Sequence, residues 1–310
     1  MFLLVWLAAC AAPSTTADSG RSAAAEDAAT GRQPLRVASF NADWLWSTHG
    51  DGETLRNATD TQMMGRLLTD YGLEVVGLQE IDGPGALALL DLQGDWAWVT
   101  GESGWNQNVA IAWRDDVVQV TNAREVELPS FADANKKPLV ADVTSRHGDL
   151  AFSLVVIHHH PFADAESAAE RATQATELYA WITEKLSLST SPPYDENIVL
   201  LGDFNDTFDG IYPDLPSLTP FTDDPAWDFA TAHTGHFTQI PYMSQIDHIA
   251  LWGGARSRQV AAGTDDGVHI IPHEQTSPWS DYAGGWDDPN PTISDHRPLW
   301  VGLEHTAAAE

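Results

Sequence analysis

The sequence predicts an α/β fold in which strands pair in both parallel and antiparallel directions. Short apolar runs such as 198–202 (IVLLG) end abruptly in polar residues, which is typical of strands buried on both faces. Strand-like runs between 96 and 157 are joined by short Gly, Asn or Asp turns, which indicates hairpins. Two longer stretches have helical apolar spacing, and they supply the helices that cover the sheets.

The composition favours one large domain and argues against tight non-specific binding of nucleic acid. The 310 residues are 43% hydrophobic, which is enough for a sizeable core. With 15 Lys and Arg against 45 Asp and Glu, the net charge of -30 repels polyanions at long range. Divalent cations held by clustered carboxylates reverse that sign locally, so a phosphate-bearing substrate is compatible with this composition.

The first residues resemble an export signal of the bacterial lipoprotein type. Residues 2–9 (FLLVWLAA) are apolar but too short to span a membrane. Leu7–Cys10 (LAAC) resembles a lipobox, although no Lys or Arg precedes the apolar run. We therefore expect an exported protein, either anchored to a membrane through lipid at Cys10 or secreted. Cys10 is the single cysteine, so the folded part has no intramolecular disulfide.

This reading divides the chain into segments of different character. Residues 1–10 are expected to be the signal peptide, and 11–33, rich in Ala, Ser, Thr and acid, a flexible tether. The catalytic domain would span 34–305, followed by a tail over 306–310. No linker or internal repeat interrupts that domain, and we expect a monomer without a protein partner.

The first strand is predicted at Leu35–Phe40, with polar residues at its carboxyl end. Asn41 and Asp43 are two residues apart, so they would share one face of an extended chain. Helix-compatible spacing then covers Thr54–Tyr71, and Gly72 ends that helix in the usual C-terminal role.

Glu80 stands at the exit of a second buried strand, Leu73–Gln79. A carboxylate in that place is solvated, bonded to a neighbouring loop, or a ligand. The strand-like runs that follow are Trp96–Thr100, Asn108–Arg114, Val117–Leu128, Lys137–Ser145 and Asp149–Ile157.

Three histidines, His158 to His160, follow the last of these runs. Neighbours in an extended chain point to opposite sides, so they cannot form a three-histidine zinc site by themselves. Asp164 is a plausible N-cap for a long helix that reaches about Leu188. Its buried stripe is expected at Ala168, Ala175, Leu178, Trp181, Ile182 and Leu186.

The run Asn197–Thr207 (NIVLLGDFNDT) places acids and an amide directly after a buried strand. Asp203 and Asn205 would point the same way and address one atom, such as a water or a metal, while Asp206 points elsewhere. The alternative is an ordinary strand-to-turn junction, because Gly, Asp and Asn are common turn residues.

The last third of the chain alternates loops with two more strands. Residues 210–239 are expected to be irregular, Gln245–Leu251 forms a strand, and Leu299–Leu303 closes the fold. Within the loop-rich segment 260–290, aromatic side chains could form a rim over a pocket: Trp279, Tyr282 and Trp286.

Six short motifs, taken together, resemble the endonuclease/exonuclease/phosphatase superfamily. They are, in order, SFNADWL, VGLQE, VIHHHP, LLGDFND, IDHI and SDHRPL. Each is weak alone, but their order and gaps span Leu35 to Leu303. The resemblance implies a four-layer α/β sandwich of two packed mixed β-sheets flanked by helices. It also implies a metal-dependent hydrolase of phosphate esters whose active site lies where strand ends converge.

The resemblance assigns a metal site to hard oxygen ligands. Glu80 resembles the principal metal carboxylate of the family and Asp295 a second acid near the ion, while Asp43 matches an acid found in some branches. Asn41 matches the amide that supports metal and phosphate. Oxygen ligands of this kind favour Mg²⁺, with Mn²⁺ or Ca²⁺ as alternatives.

The remaining matches imply the groups that move protons. Asp203 and Asn205 match the pair that orients and activates the attacking water, and Asp247 matches the acid that pairs with His296. His158 matches the histidine that helps to protonate the leaving oxygen in the deoxyribonuclease-like branch.

The resemblance to the family is weaker at two positions. Asn108 matches a polar residue near the phosphate, but a turn role suits it equally. The residues after His158 depart from the His-Leu-Lys pattern of many members, which puts a lysine contribution to substrate binding in doubt.

Three functions therefore compete. The leading expectation is an exported phosphodiesterase, and specifically a nuclease, that uses a metal-bound phosphate and an activated water. A phosphatase or a sphingomyelinase-like phospholipid diesterase would use the same chemistry on another substrate. A surface binding module without turnover is the alternative of another class, and the complete set of acids, amides and histidines argues against it.

Overall fold

The chain forms two mixed β-sheets of six strands each in the computed structural model. The residues that it describes are 33–46, 56–131, 136–186, 194, 196–212, 215–232, 236–260, 268–281 and 293–305. The expected signal peptide with Cys10, the tether up to residue 32 and the tail 306–310 lie outside these stretches. No described helix is long and apolar enough to cross a membrane.

The strands occur in the predicted order along the described chain. They are β1 (Leu35–Leu45), β2 (Val75–Ile81), β3 (Trp96–Thr100), β4 (Asn108–Arg114), β5 (Val118–Glu125), β6 (Leu139–Ser145), β7 (Ala151–His158), β8 (Asn197–Asp203), β9 (Trp227–Phe229), β10 (Asp247–Gly253), β11 (Val268–Ile270) and β12 (Leu299–Leu303). Of these, β9 and β11 fall in stretches that the sequence marked as irregular.

One end of the sandwich collects the strand termini that carry polar residues. The first sheet has the order β11, β12, β1, β2, β4, β3, and the second has the order β5, β6, β7, β8, β10, β9. The pairs β1 with β2 and β7 with β8 are parallel, whereas the other described pairs are antiparallel. The carboxyl ends of β1, β2, β7 and β8 therefore meet the starts of β4, β10 and β12.

Apolar side chains fill three layers, as expected for helices packed on both outer faces. One cluster lies between the sheets and includes Val37, Ile111 and Leu201, all fully buried or nearly so. A second cluster packs under the first long helix, and a third under the second. The described helices are α1 (Ala58–Asp70), α2 (Pro84–Ala88), α3 (Ala165–Trp181), α4 (Thr219–Thr222) and α5 (Gly254–Ser257).

Close approach of the two sheets requires a glycine on β2. A Cβ atom added at Gly77 would lie 2.3 Å from Leu201 Cδ1 and 2.9 Å from Val156 Cγ2. Both of those atoms belong to the facing sheet, so a side chain at this position would force the sheets apart. The two sheets thus form the predicted four-layer sandwich, with α1 and α3 outside.

Local capping moves the helix boundaries away from the predicted ones. The first helix begins at Ala58 rather than Thr54, because Asn57 caps it and exchanges hydrogen bonds with Asp60. Asp164 caps α3 as predicted. That helix ends at Trp181 and continues as a wider π-helical turn through Leu186, and the expected end at Leu188 lies outside the described residues.

Trp279 is not part of an exposed rim. Its side chain is buried and its ring packs against Tyr71, with 5.3 Å between the centroids. The apolar indole gains more from burial beside α1 than from a place at the mouth of a pocket. Tyr282 and Trp286 lie outside the described residues.

His159 belongs to the core beneath α3. Its ring lies 5.9 Å from that of Phe131 and 5.4 Å from that of Phe204, measured between centroids. Burial lowers the pKa of His159 from 6.5 to about 3, and the charges of Arg171 and Lys136 add to the effect. The unfolded chain therefore binds a proton below pH 6.5 that the folded chain rejects, and stability falls as the pH drops towards 3.

Replacing His159 by phenylalanine should remove this acid sensitivity. Between pH 8 and pH 5, the unfolding free energy of the wild type should fall by about 2 kcal/mol more than that of His159→Phe. Urea unfolding at both pH values measures the difference, and the exposed His147→Gln serves as the control. An identical pH dependence in wild type and His159→Phe would contradict this account.

Candidate active site

Strand pairing brings His158, Asp203 and Asp247 side by side. Asp203 ends β8, where His158 of β7 is its parallel neighbour and Asp247 of β10 its antiparallel neighbour. The preceding Gly202 has φ +147°, and a Cβ there would lie 2.1 Å from the carbonyl oxygen of Ile157. A glycine at that position lets the acid enter the space between its neighbours.

The side chain of Asn41 joins acids from both sheets. Its Nδ2 donates to Oε1 of Glu80 on β2 at 3.2 Å and to Oδ2 of Asp203 on β8 at 3.0 Å. Its Oδ1 accepts a hydrogen bond from the backbone N–H of Asp43 at 2.9 Å. Because Asn41 is buried, these bonds are strong and fix both carboxylates.

The backbone bends sharply where β1, β2 and β8 reach this end. Asp43, Trp44, Glu80 and Asn205 have φ values of 47°, 58°, 61° and 50°, in the left-handed region that non-glycine residues rarely adopt. Register shifts mark bulges near the ends of β1 and β2. Bulges re-aim side chains, so the strict alternation assumed from the sequence fails here.

Asp43 shows how this bend changes the direction of a predicted ligand. The sequence placed it on one face with Asn41, as if the strand ran straight. The left-handed turn instead directs its carboxylate to Arg56, whose Nη2 lies 3.2 Å from Oδ2. Asp43 still contributes negative charge at Glu80, so it stays in the acidic group although it is already paired.

Glu80 is a buried carboxylate among other acids. Its Oε1 accepts from Asn41, and its Oε2 accepts from the backbone N–H of Trp44 at 3.2 Å. Burial, together with the charges of Asp43 and Asp295, raises the pKa of Glu80 to about 7, and the charge of Lys136 opposes them. A carboxylate in this position gains much from a nearby cation.

Asp203 and Asn205 are bonded to each other and to the backbone, and their joint action on one atom stays a prediction. Asp203 Oδ1 accepts from the backbone N–H of Asn205 at 2.8 Å, while Nδ2 of Asn205 donates to the carbonyl oxygen of His159 at 3.1 Å. Asn205 has a left-handed backbone conformation, so the alternation of an extended strand does not apply to it. Burial and the charge of Asp247 raise the pKa of Asp203 to about 6, opposed by His296.

Asp206 points away from the site, as predicted. Its two carboxylate oxygens accept hydrogen bonds from the backbone N–H groups of Thr207, Ile211 and Ser217. It therefore shapes the loop after β8 and takes no part in the acidic group.

The predicted pair of Asp247 and His296 is present. The Nδ1–H group of His296 donates to Asp247 Oδ2 at 2.8 Å. Burial lowers the pKa of His296, but the charges of Asp247 and Asp295 outweigh it, and the pKa lies well above 6.5. Its Nε2 lies 3.7 Å from Asp295 Oδ1 and 4.0 Å from Asp203 Oδ2. A cationic N–H donor thus faces the acids.

Ser294, which the sequence did not single out, fixes this pair against the first sheet. Its hydroxyl donates to the carbonyl oxygen of Asn41 at 2.7 Å and accepts from the backbone N–H of His296 at 2.9 Å. The serine of the SDH motif is the sequence signal, because hydroxyls commonly bond backbone groups two residues on.

Lys136 is the main site residue that the sequence analysis missed. Its Nζ lies 3.4 Å from Nε2 of His158, and Nε2 of His158 is also 3.7 Å from Glu80 Oε1 and from Asp203 Oδ2. The sequence analysis put a lysine contribution in doubt because none follows His158 in sequence, whereas this lysine comes from the chain before β6. Its neighbour Lys137 points outward and pairs with Glu127.

The pKa values of His158 and Lys136 are both lowered by burial. Burial lowers the pKa of His158 well below 6.5, and the positive charges of Lys136 and His296 lower it further. Burial also lowers the pKa of Lys136, but Glu80 and Asp203 oppose that effect. The imidazole of His158 is therefore neutral at neutral pH, and its Nε2 faces the Lys136 amine at 3.4 Å.

The three adjacent histidines diverge, as predicted. His158 faces the acids, His159 packs in the core, and His160 Nδ1 lies 3.4 Å from Glu170 Oε2. A zinc site made from this run alone is therefore ruled out by geometry.

Asn108 holds a loop. Its Nδ2 donates to the carbonyl oxygens of Asp82 at 3.2 Å and Trp105 at 2.6 Å, and its Oδ1 accepts from the N–H of Gly104 at 2.8 Å. Both amide protons are thus bonded to backbone, which matches the turn role. A phosphate contact by Asn108 stays a prediction, and it would require one of these bonds to break.

The sequence model of the Endonuclease/Exonuclease/phosphatase family matches residues 38–296, which include every residue of the site described above. The chain belongs to this family. It is a hydrolase that acts on phosphoester bonds, as the ordered motifs led us to expect. A search of curated protein sequences found no match.

Solved structures share the fold of this family member at low sequence identity. TDP2 of D. rerio, crystallised with a single strand DNA product, is 17% identical with a TM-score of 0.60, covering 88% of this chain and 100% of that chain. The endonuclease/exonuclease/phosphatase of Bacteroides vulgatus is 16% identical (TM-score 0.60; 89% and 100%). The human Nocturnin catalytic domain with bound sulfate is 13% identical (TM-score 0.56; 89% and 96%).

Two groups of residues compete for the metal ion on which family members depend. Oxygen and nitrogen atoms of Asp203, Asp247 and His296 lie within 4.8 Å of one another. However, Nδ1 of His296 donates to Asp247 and the ring is cationic, and a protonated imidazole does not bind metal. The excess negative charge at Glu80 makes the predicted oxygen set of Glu80, Asp43 and Asp295 the better fit.

Metal binding should therefore compete with protons. Because the pKa of Glu80 is about 7, lowering the pH from 8 to 6 should weaken the binding of Mn²⁺ about tenfold. Calorimetric titration at each pH measures this affinity. Glu80→Gln should lose most of the affinity, and Glu304→Gln, far from the site, should behave as wild type. Unchanged affinity in Glu80→Gln would remove this residue from the metal site.

Proposed function

We propose that the protein is a metal-dependent phosphodiesterase that cleaves nucleic acid. This proposal rests on one observation: at the end of β8 an anionic carboxylate, Asp203, lies beside a cationic imidazole, His296. Phosphodiester hydrolysis needs a group that takes a proton from water and groups that stabilise negative charge on phosphate oxygens.

Asp203 is suited to accept the proton of the attacking water. Its pKa of about 6 leaves the carboxylate ionised at neutral pH, yet basic enough to act as a general base. The water oxygen forms a bond to phosphorus as one of its protons passes to Asp203, and the P–O bond to the leaving group breaks. Asn41 Nδ2 and the backbone N–H of Asn205 hold the carboxylate in position.

Donors on the other side complete the step. The Nε2–H of His296 is free of Asp247 and can donate to a non-bridging phosphate oxygen, where its charge stabilises the transition state. The leaving oxygen departs as an alkoxide and takes a proton on the side of His158 and Lys136. In its protonated form Lys136 supplies that proton, either directly or through the His158 imidazole 3.4 Å away.

A divalent ion would be held by Glu80, Asp43 and Asp295. When bound, it supplies positive charge that neutralises the phosphate and polarises the P–O bonds. Mg²⁺ suits these hard oxygen ligands, and Mn²⁺ or Ca²⁺ are alternatives. Bound metal also offsets the repulsion that raises the pKa of Glu80.

An exposed aromatic side chain supports a nucleic-acid substrate over a small phosphate. Trp105 is 80% exposed, and the loop that carries it reaches Lys136, because a Cβ at Gly104 would lie 2.9 Å from Lys136 Cγ. An indole beside the site can stack on an unpaired base without using positive charge, which a chain of net charge -30 lacks. TDP2, which shares the fold, was crystallised with single strand DNA.

We further propose that the protein is exported and held at a membrane by lipid on Cys10. The apolar run 2–9 and the LAAC sequence support this proposal. Labelling cells with radioactive palmitate should mark the wild-type protein in the membrane fraction and leave Cys10→Ser unlabelled. Label retained in Cys10→Ser would contradict lipidation at this cysteine.

The substrate class can be tested with a panel assayed with Mg²⁺, with Mn²⁺ and with EDTA. It contains single-stranded DNA, plasmid DNA, bis(p-nitrophenyl) phosphate, p-nitrophenyl phosphate and sphingomyelin vesicles. We expect EDTA-sensitive cleavage of DNA, with single strands preferred. Hydrolysis of p-nitrophenyl phosphate or sphingomyelin with intact DNA would instead assign a phosphatase or a phospholipid diesterase, and no hydrolysis at all would revive the binding module.

Two variants test the assigned roles in the same panel. Asp203→Asn and His296→Gln should each lower kcat by about 10²–10⁴-fold, the range for acid–base groups. Both should retain Mn²⁺ binding, because neither residue is placed in the metal set. The exposed His147→Gln is the control, and near-wild-type rates for either variant would show that its residue is structural.

A further inference from the structure

Three side chains on α3 point to the same two loops of the site. Arg171, Gln174 and Glu177 follow one another at intervals of three residues, so they line one face of the helix. Arg171 and Gln174 are almost completely buried. None of the three contacts the acids directly, and the mechanism above does not use them.

Arg171 and Gln174 hold the chain that leaves His158. Gln174 Oε1 accepts from the backbone N–H of His160 at 2.9 Å. Arg171 Nη1 donates to the carbonyl oxygens of Phe162 at 2.6 Å and His160 at 3.3 Å. Phe162 itself has φ +79°, so this segment adopts a conformation that needs outside support.

The same helix face also bonds to Ser130, which lies before β6 in the chain. Gln174 Nε2 donates to the carbonyl oxygen of Ser130 at 3.3 Å. Glu177 Oε2 accepts from the N–H of Ser130 at 2.8 Å and from its hydroxyl at 2.7 Å. The single carboxamide of Gln174 therefore bonds through Oε1 to the chain that follows His158 and through Nε2 to Ser130. His158 in turn faces Lys136 at 3.4 Å.

Burial of Arg171 is costly if its only role is packing. Its Nε and Nη2 have no hydrogen-bond partner among the described residues, and within them no carboxylate lies within ion-pair distance. An apolar residue of similar size would pack there at lower cost in folding free energy. The bonds that Arg171 makes to the loop carbonyls are what distinguishes it from such a residue.

We propose that Arg171 and Gln174 are positioning residues that fix His158, and with it the contact between His158 and Lys136, against the leaving oxygen. The proposal rests on the phosphodiesterase function proposed above and adds the elements that align its proton donor. Misplacement of a catalytic group by about 1 Å costs on the order of 10²-fold in rate. Loosening the segment that follows His158 should therefore slow only those substrates whose leaving oxygen needs a proton.

The choice of leaving group separates positioning from general damage. A p-nitrophenolate ion leaves without a proton, whereas the alkoxide released from a thymidine dinucleotide needs one. Gln174→Leu and Arg171→Met should lower kcat for the dinucleotide by about 10²-fold with KM little changed. Their kcat for bis(p-nitrophenyl) phosphate should stay within about threefold of wild type, because general acid catalysis contributes little there.

Conservative variants and a neighbouring site supply the controls. Gln174→Glu keeps an acceptor for His160 N–H and should recover part of the dinucleotide rate that Gln174→Leu loses. Thr173→Ala changes an exposed residue of the same helix that bonds only to Ala169 within α3, and it should match wild type. An equal loss on both substrates in Gln174→Leu and Arg171→Met would show a structural role and overturn the proposal.

Hydrogen exchange tests the same contacts without relying on turnover. The His160 amide should exchange at least tenfold faster in Gln174→Leu than in wild type or Thr173→Ala, because it loses its acceptor. Unchanged exchange would overturn the proposal even if rates fall. If wild type cleaves neither substrate, the phosphodiesterase function fails, whereas the exchange result still decides whether α3 holds this loop.

Discussion

A single amide group sets the distance between acids that would otherwise repel each other. Nδ2 of Asn41 donates to carboxylates from both sheets, Glu80 and Asp203, inside a site from which water is largely excluded. Repulsion between buried like charges is strong at low dielectric. The sandwich can keep its strand ends together here only because the amide and nearby cations, His296 and Lys136, offset that repulsion.

The two histidines of the site show how environment divides acid from base. Both are buried, but His296 lies against Asp247 and Asp295 and holds its proton, whereas His158 lies against Lys136 and loses it. Residue type alone would have given both the same role. The topology decides which partner each ring meets, because β7 and β12 approach the acids from different sheets.

Much of this fold could be predicted from the sequence, because buried strands and capped helices leave local patterns. The acids were predicted for the same reason, since Glu80, Asp203 and Asp295 each follow or precede an apolar run. Lys136 could not be found this way: its contact with His158, at the end of β7, joins residues 22 apart, and Lys136 itself lies on the chain before β6. The orientation of Asn205 depends on one left-handed residue, and alternation along a strand does not encode that turn.

The left-handed backbone at Asp43, Glu80 and Asn205 lowers the folding stability at residues that belong to the candidate active site. Each such residue costs on the order of 1 kcal/mol that glycine would not. Glycine at Glu80 would relax the bulge, but it would also delete the carboxylate. Selection for heat resistance alone would therefore favour replacing these residues by glycine, and the active site would be lost. A thermostable descendant that keeps all three residues must have gained its stability at other positions.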